Sequence, residues 1–194
     1  MRRILVGVLS ALALVLVSVV PALADSSQNV TVTGTPLYLS ISNTPNTWTI
    51  NGITGSGLIE PNTTYYAKGS TNETTAPSAT VLGTECYFTV TNGTGATTCD
   101  LTVTWGAFTG GGADMTNSDA GTNGATTYGA YCWYEGMTYA NKVIVKSTGS
   151  DEMYSTGLAA DASLKWGVEI KTRTDAWTSG TSSTSTLTIT ATAH

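Results

Sequence analysis

Histidine is almost missing from this chain: His194 is the only one, and it is the last residue. Acyl-transfer machinery of the Ser-His-Asp or Cys-His kind needs an imidazole held against its nucleophile, and a residue at that position is poorly placed to be held. Charge is scarce too, since Asp, Glu, Lys and Arg make up 11% of the sequence and acids outnumber bases by 13 to 8. A thinly charged acidic surface repels phosphate backbones, which argues against nucleic acid as a partner. There is no internal repeat of fixed period, so the chain does not read as a solenoid or propeller. Carboxylates such as Glu60, Glu85, Asp100, Glu135 and Glu169 are scattered, and they read as surface groups rather than as a glycosidase pair. These absences leave no catalytic residue and no resident cofactor to assign, and the chain is expected not to be an enzyme.

What is present begins with one long apolar run. Met1-Arg2-Arg3 precedes an almost unbroken hydrophobic stretch over residues 4–20, which ends in Pro21-Ala22-Leu23-Ala24 before Asp25. A basic start, an apolar middle and a small-residue exit are the parts of a secretory signal, so residues 1–24 are expected to be a signal helix cleaved after Ala24. Export would place the mature domain, residues 25–194, in the extracellular space or on the cell surface. That domain keeps six basic residues against thirteen acidic ones, a net charge of about −7. Threonine occurs 38 times and glycine 21 times. Thr is β-branched and hydroxylated, so it suits strands whose outer face meets water. Five Trp, nine Tyr and a 41% hydrophobic share are too many for a disordered Thr-rich stalk.

Strand signals recur along the mature chain. The clearest are residues 84–92, where Cys86, Phe88 and Val90 alternate with polar neighbours, and residues 99–106, where Leu101, Val103 and Trp105 do the same. Joined by the Gly-rich residues 93–98, the two runs read as a hairpin with one buried face. Residues 29–33 form a short leading strand with Val30 and Val32 on one face, broken by Gly34-Thr35-Pro36 before the alternation resumes at residues 37–41. In residues 127–135, Tyr128, Ala130 and Cys132 share one face and Tyr131 and Trp133 the other. In residues 163–171, Leu164, Trp166, Val168 and Ile170 point inward against Lys165, Glu169 and Lys171 outward, and Leu187, Ile189 and Ala191 alternate with Thr near the end. A single helical turn is expected around residues 158–160. The pattern predicts an all-β fold: a single Ig-like or jelly-roll β-sandwich of about 8–10 antiparallel strands after the N-terminal signal helix.

Cys86, Cys99 and Cys132 face an oxidising exterior, where two of the three are expected to pair. In the hairpin register Cys99 falls opposite Thr91, beyond disulfide reach of Cys86, so the expected disulfide joins Cys132 with Cys86 or Cys99. Residues 108–125 form the longest surface excursion, and there Asp114, Asn117, Asp119 and Asn123 offer oxygen ligands that suit Ca²⁺, though without the twelve-residue hand pattern. Trp and Tyr faces also stack on sugar rings. Among Trp48, Trp105, Trp133, Trp166 and Trp177, Trp105 and Trp166 fall on the apolar phase of their strands. Trp133 with Tyr131 and Tyr134, or Trp177 in its loop, are the candidates for an exposed polysaccharide platform. Asn29-Val30-Thr31, Asn62-Thr63-Thr64, Asn72-Glu73-Thr74 and Asn92-Gly93-Thr94 fit the N-glycosylation triplet.

The signal segment, the leading strand, Phe88-Thr89-Val90-Thr91-Asn92, residues 164–170 and Leu187-Thr188-Ile189-Thr190-Ala191 together resemble the layout of secreted prokaryotic β-sandwich proteins of extracellular filaments. These include TasA/camelysin-like fibre proteins, archaeal bundling pilins and cannula-type tube proteins. The resemblance implies polymerisation through donated strands, calcium at some subunit contacts, and no catalytic residue. The expected function is therefore a secreted structural protein that self-assembles with copies of itself into a filament or surface layer. Residues 25–35 would serve as a donor strand, with Val30 and Val32 filling a groove in the next copy. The alternative is a carbohydrate-binding or adhesin module on the cell surface, with polysaccharide as its partner.

Overall fold

The structure, a computed structural model, describes residues 38–50, 59–68, 71–77, 81–83, 85–111, 114–149, 152–176 and 182–194. The expected signal segment and donor strand, with Val30 and Val32, lie outside the described residues, as does Trp177. Within them the body is all-β. Its strands are β1 (Ile41–Thr44), β2 (Thr64–Lys68), β3 (Thr71–Glu73), β4 (Phe88–Asn92), β5 (Cys99–Trp105), β6 (Thr116–Asn117), β7 (Thr127–Tyr134), β8 (Val143–Ile144), β9 (Glu152–Leu158), β10 (Ser163–Lys171) and β11 (Leu187–Ala193). Among the described residues a 3-10 turn at Tyr139–Asn141 is the sole helical element, and no helix is long and apolar enough to cross a membrane. Residues 158–160, expected to make a helical turn, instead end β9 and enter the turn that leads into β10.

Two sheets enclose one main core. In the larger, β10 pairs with β7 along one edge and, on the other, first with β4 and then with β2. β1 flanks β4, β3 flanks β2, and β6 and β8 flank β7. In the smaller sheet β5 lies between β11 and β9. Residues 143–146 stitch the sheets together: Val145 N donates to Ala130 O at 3.0 Å, and Trp105 N donates to Lys146 O at 2.9 Å. The period-2 pattern explains the core directly. β5 buries Cys99, Leu101, Val103 and Trp105 and leaves Asp100, Thr102 and Thr104 half-exposed, and Phe88, Val90, Leu164, Trp166, Val168 and Ile170 meet it from the larger sheet. Phe88 stacks on Trp166 with centroids 4.7 Å apart, while Trp105, Phe108 and Tyr128 form a tilted and edge-to-face cluster.

The expected hairpin between residues 84–92 and 99–106 does not form. β4 pairs with β1 and β10 in the larger sheet, whereas β5 pairs with β11 and β9 in the smaller. Residues 93–98 therefore cross from one wall of the core to the other. Alternation cannot distinguish the two arrangements, because a strand buries the same alternate residues whether its neighbour lies beside it or faces it across a core. What holds the crossing is Asn92, which is fully buried. Its Nδ2 donates to Thr97 O at 3.0 Å and to Leu158 O at 2.8 Å. The side chain thus ties the end of β4 to the turn and to β9. Asn92→Ala should cost roughly 3 kcal/mol in chemical denaturation, since one buried and one part-buried carbonyl lose their donors.

Candidate assembly groove

Among the described residues each sheet has an edge strand with a single strand partner, and the two edges border one groove. Among the described residues β1 pairs as a strand only with β4, and β11 only with β5. Between them runs a groove of about 270 Å³ lined by Ile41, Ser42, Asn43, Asn46, Leu187 and Ile189. Ile41, Leu187 and Ile189 pack against the main core yet stay only partly buried, so core side chains are left half-covered where a further strand would cover them. Asn43 is fixed in this wall because its Oδ1 accepts the Trp166 indole N–H at 2.8 Å and its Nδ2 donates to Pro45 O at 2.8 Å. Just before β1, Tyr38 and Leu39 are 53% and 38% exposed, which continues an apolar margin from the groove.

The edges differ in how well they are defended. β9 pairs with β5 through two register shifts and carries Gly157 at a φ of 77°. β3 is three residues long and ends in Glu73. Short edges, bulges and charges are the devices that keep sheets from adding strands. β11 has none of them: its seven residues, LTITATA, pair with β5 in unbroken register and contain no charge and no proline.

The other residues singled out by sequence fall elsewhere. Among the described residues no group of three or more His, Cys, Asp or Glu is placed to hold a metal ion, and Asp114, Asn117, Asp119 and Asn123 are engaged in hydrogen bonds. Each serves the backbone or a neighbouring loop instead. Asn117 Nδ2 donates to Trp105 O and Val145 O, Asp119 accepts from Ser147 N and Oγ, Asn123 Nδ2 donates to Thr172 O and Asn62 Oδ1, and Asp114 Oδ1 accepts from Gly111 N and Ser183 Oγ. These four side chains pin the loop to its neighbours. Cys86 and Cys99 are free thiols, so the expected disulfide from Cys132 to one of them is not formed. Cys132 faces the main core, whereas Cys86 packs with Trp133 in a separate cluster. Burial, with Glu135 and Glu85 nearby, pushes the Cys86 thiol up to about 12, leaving little thiolate to react.

Trp133, expected as an exposed sugar platform, is fully buried. It packs with Tyr66 and Leu82 in the second cluster, edge-on to Tyr139 at 5.6 Å, with its indole over Gly167, where a Cβ would collide with it. Beside it lies a group that alternation places outside. Glu169 sits on the outward phase of β10 and is nonetheless 4% exposed. Its Oε1 lies 2.5 Å from Lys142 Nζ, its Oε2 accepts from the Tyr139 hydroxyl, and the ammonium stands 4.3 Å from the ring centroids of both Tyr131 and Tyr139. Burial, helped by the bonds to Glu169 and Tyr66, pushes the Tyr139 hydroxyl well above its ordinary value. The pair reads as a structural clamp. His194 is held after all, with Nδ1 2.8 Å from Asp100 Oδ1 and its main-chain N–H donating to Thr98 O. No hydroxyl or thiol is hydrogen-bonded to its ring among the described residues.

Compared with protein-family models, curated proteins and solved structures, the chain matches none at a significant level.

Proposed function

We propose that this is an exported structural protein whose copies assemble at or beyond the cell surface into a filament or layer, each subunit adding a strand to the open edges of the next. The observation that carries the reading is the groove between β1 and β11, where half-covered core residues lie beside an edge strand without charge, proline or bulge. An added strand would satisfy the outer backbone groups of β11 and bury Leu187 and Ile189 further. Residues 25–35, read from the sequence as a leading strand, would supply a segment of matching character, with Val30 and Val32 to fill the groove. Those two side chains would contribute on the order of 2 kcal/mol each at most. The main-chain ladder, at roughly 1 kcal/mol per hydrogen bond, must add the rest.

Electron microscopy of the purified mature protein at high concentration tests the proposal. Filaments or sheets are expected from the parent, and none from Ile189→Asp or from a chain lacking residues 25–33, with both variants still folded by circular dichroism. Ile189 is only half-buried, so a carboxylate there meets water in the monomer and is desolvated only in the assembly. A parent that stays solitary, or assemblies that persist in both variants, would refute it.

A further inference from the structure

Four asparagines lie in N-glycosylation triplets, and the fold treats two of them in opposite ways. Asn62 stands in the turn that leads into β2. It is exposed and adopts a left-handed φ of 53°. The turn is rigid around it: Asn62 N donates to Arg173 O at 2.7 Å, Thr63 N donates to Thr172 Oγ1 at 3.0 Å, and Thr172 N donates to Thr63 O at 2.9 Å. Only the carbonyl end of the Asn62 side chain is engaged, Oδ1 accepting from Asn123 Nδ2 at 3.1 Å. The amide nitrogen of this exposed residue has no hydrogen-bond partner among the described residues, and Thr64 supplies the hydroxyl two positions on. Asn92 is the reverse case. It is fully buried, and both N–H groups of its Nδ2 are spent on Thr97 O and Leu158 O. A glycan on that nitrogen would remove one of these bonds and force a sugar between the sheets.

We propose that Asn62 is an N-glycan acceptor and that Asn92 is not. The co-reactant is a lipid-linked oligosaccharide. A bond forms from Asn62 Nδ2 to the anomeric carbon as that carbon's bond to phosphate breaks, the lipid pyrophosphate leaves, and the transferase takes the amide proton. The site is independent of the assembly reading and compatible with it. β2 pairs with β10 at residues 169–171, whereas β4, which carries β1 and its side of the groove, pairs at residues 163–166. A glycan at Asn62 therefore projects from the other end of the central strand and leaves the groove uncovered.

The full chain, exported from a eukaryotic host that performs N-linked transfer, is mapped by mass spectrometry with and without peptide N-glycosidase, and any chain retained in the cell is mapped in the same way. Asn62 should carry the sugar and Asn92 should not. Asn62→Gln and Thr64→Val should each abolish the modification at Asn62, the second while keeping the asparagine and a β-branched residue at the start of β2. A folded chain with Asn62 unmodified, or with sugar on Asn92, would overturn the assignment.

Discussion

Lys142→Ala is expected to lower the unfolding free energy by about 3 kcal/mol, the lower end of the cost of removing one partner from a buried ion pair. The lower end applies because the lysine side chain keeps 21% of its surface exposed, while the Glu169 side chain keeps 6%. Without the ammonium, the Glu169 carboxylate stays on the central strand of the larger sheet with Tyr139 as its remaining hydrogen-bond donor among the described residues, under aromatic rings that exclude water. Glu169→Ala strands the cation instead, but Lys142 can swing toward solvent, so the loss there should be smaller. The double variant Lys142→Met with Glu169→Leu should recover most of the difference, because an apolar pair of similar volume carries no desolvation cost. Urea denaturation with unchanged m values reads all three. Single and double variants of equal stability would mean that the pair is a surface contact and not a clamp.

How legible the fold is in the sequence depends on the kind of information each residue carries. Inward positions are readable wherever a strand alternates, and Leu101, Val103, Trp105, Val168 and Ile170 are all buried as the period of two demands. Partnership is not readable. The alternation in β4 and β5 is satisfied equally by adjacent strands and by facing walls, and the choice rests on long-range pairings such as β4 with β1 and β5 with β11. The outward phase also fails where the outer face acquires its own cover. Glu169 and Trp133 are both on that phase, and both are buried because the 3-10 turn at Tyr139–Asn141 and β2 bring Tyr139 and Tyr66 over them. Lys142 carries a faint local signal, a charge beside the apolar run 143–145, but nothing local ties it to a residue 27 positions away. The groove is hidden for the same reason that the hairpin is misleading. Leu187 and Ile189 alternate with Thr in the sequence, but a strand becomes an edge only when the sheet order is known. The loop at residues 114–123 adds a further case, since the main-chain groups that its side chains hold, Trp105 O, Val145 O, Thr172 O and Ser147 N, are invisible in sequence.

Gly129→Ala tests that loop as a structural element, and it should destabilise the protein by at least about 3 kcal/mol, the upper end of overpacking costs. A Cβ at Gly129 in β7 would run into the carbonyl of Gly121 and approach Thr122 N at 2.7 Å. These are main-chain atoms, so no change of rotamer relieves the collision, and either β7 or the loop must move. Neither can move freely. β7 is registered against β10 through Gly129 opposite Lys171, and the loop is tied down on both flanks. Ser118 N donates to Tyr128 O and Thr174 N to Gly124 O, while Asn117 and Asn123 hold Trp105 O, Val145 O and Thr172 O. Gly83→Ala is the matched control, because a Cβ there meets nothing within 4 Å and the residue lacks a positive φ, so its effect should stay within about 0.5 kcal/mol. If the loop acts by packing and backbone capture, the Gly129 defect should be the same with and without added calcium. Equal stability of the two glycine variants would show that the loop yields, and rescue by calcium would show that its carboxylates gather around an ion after all.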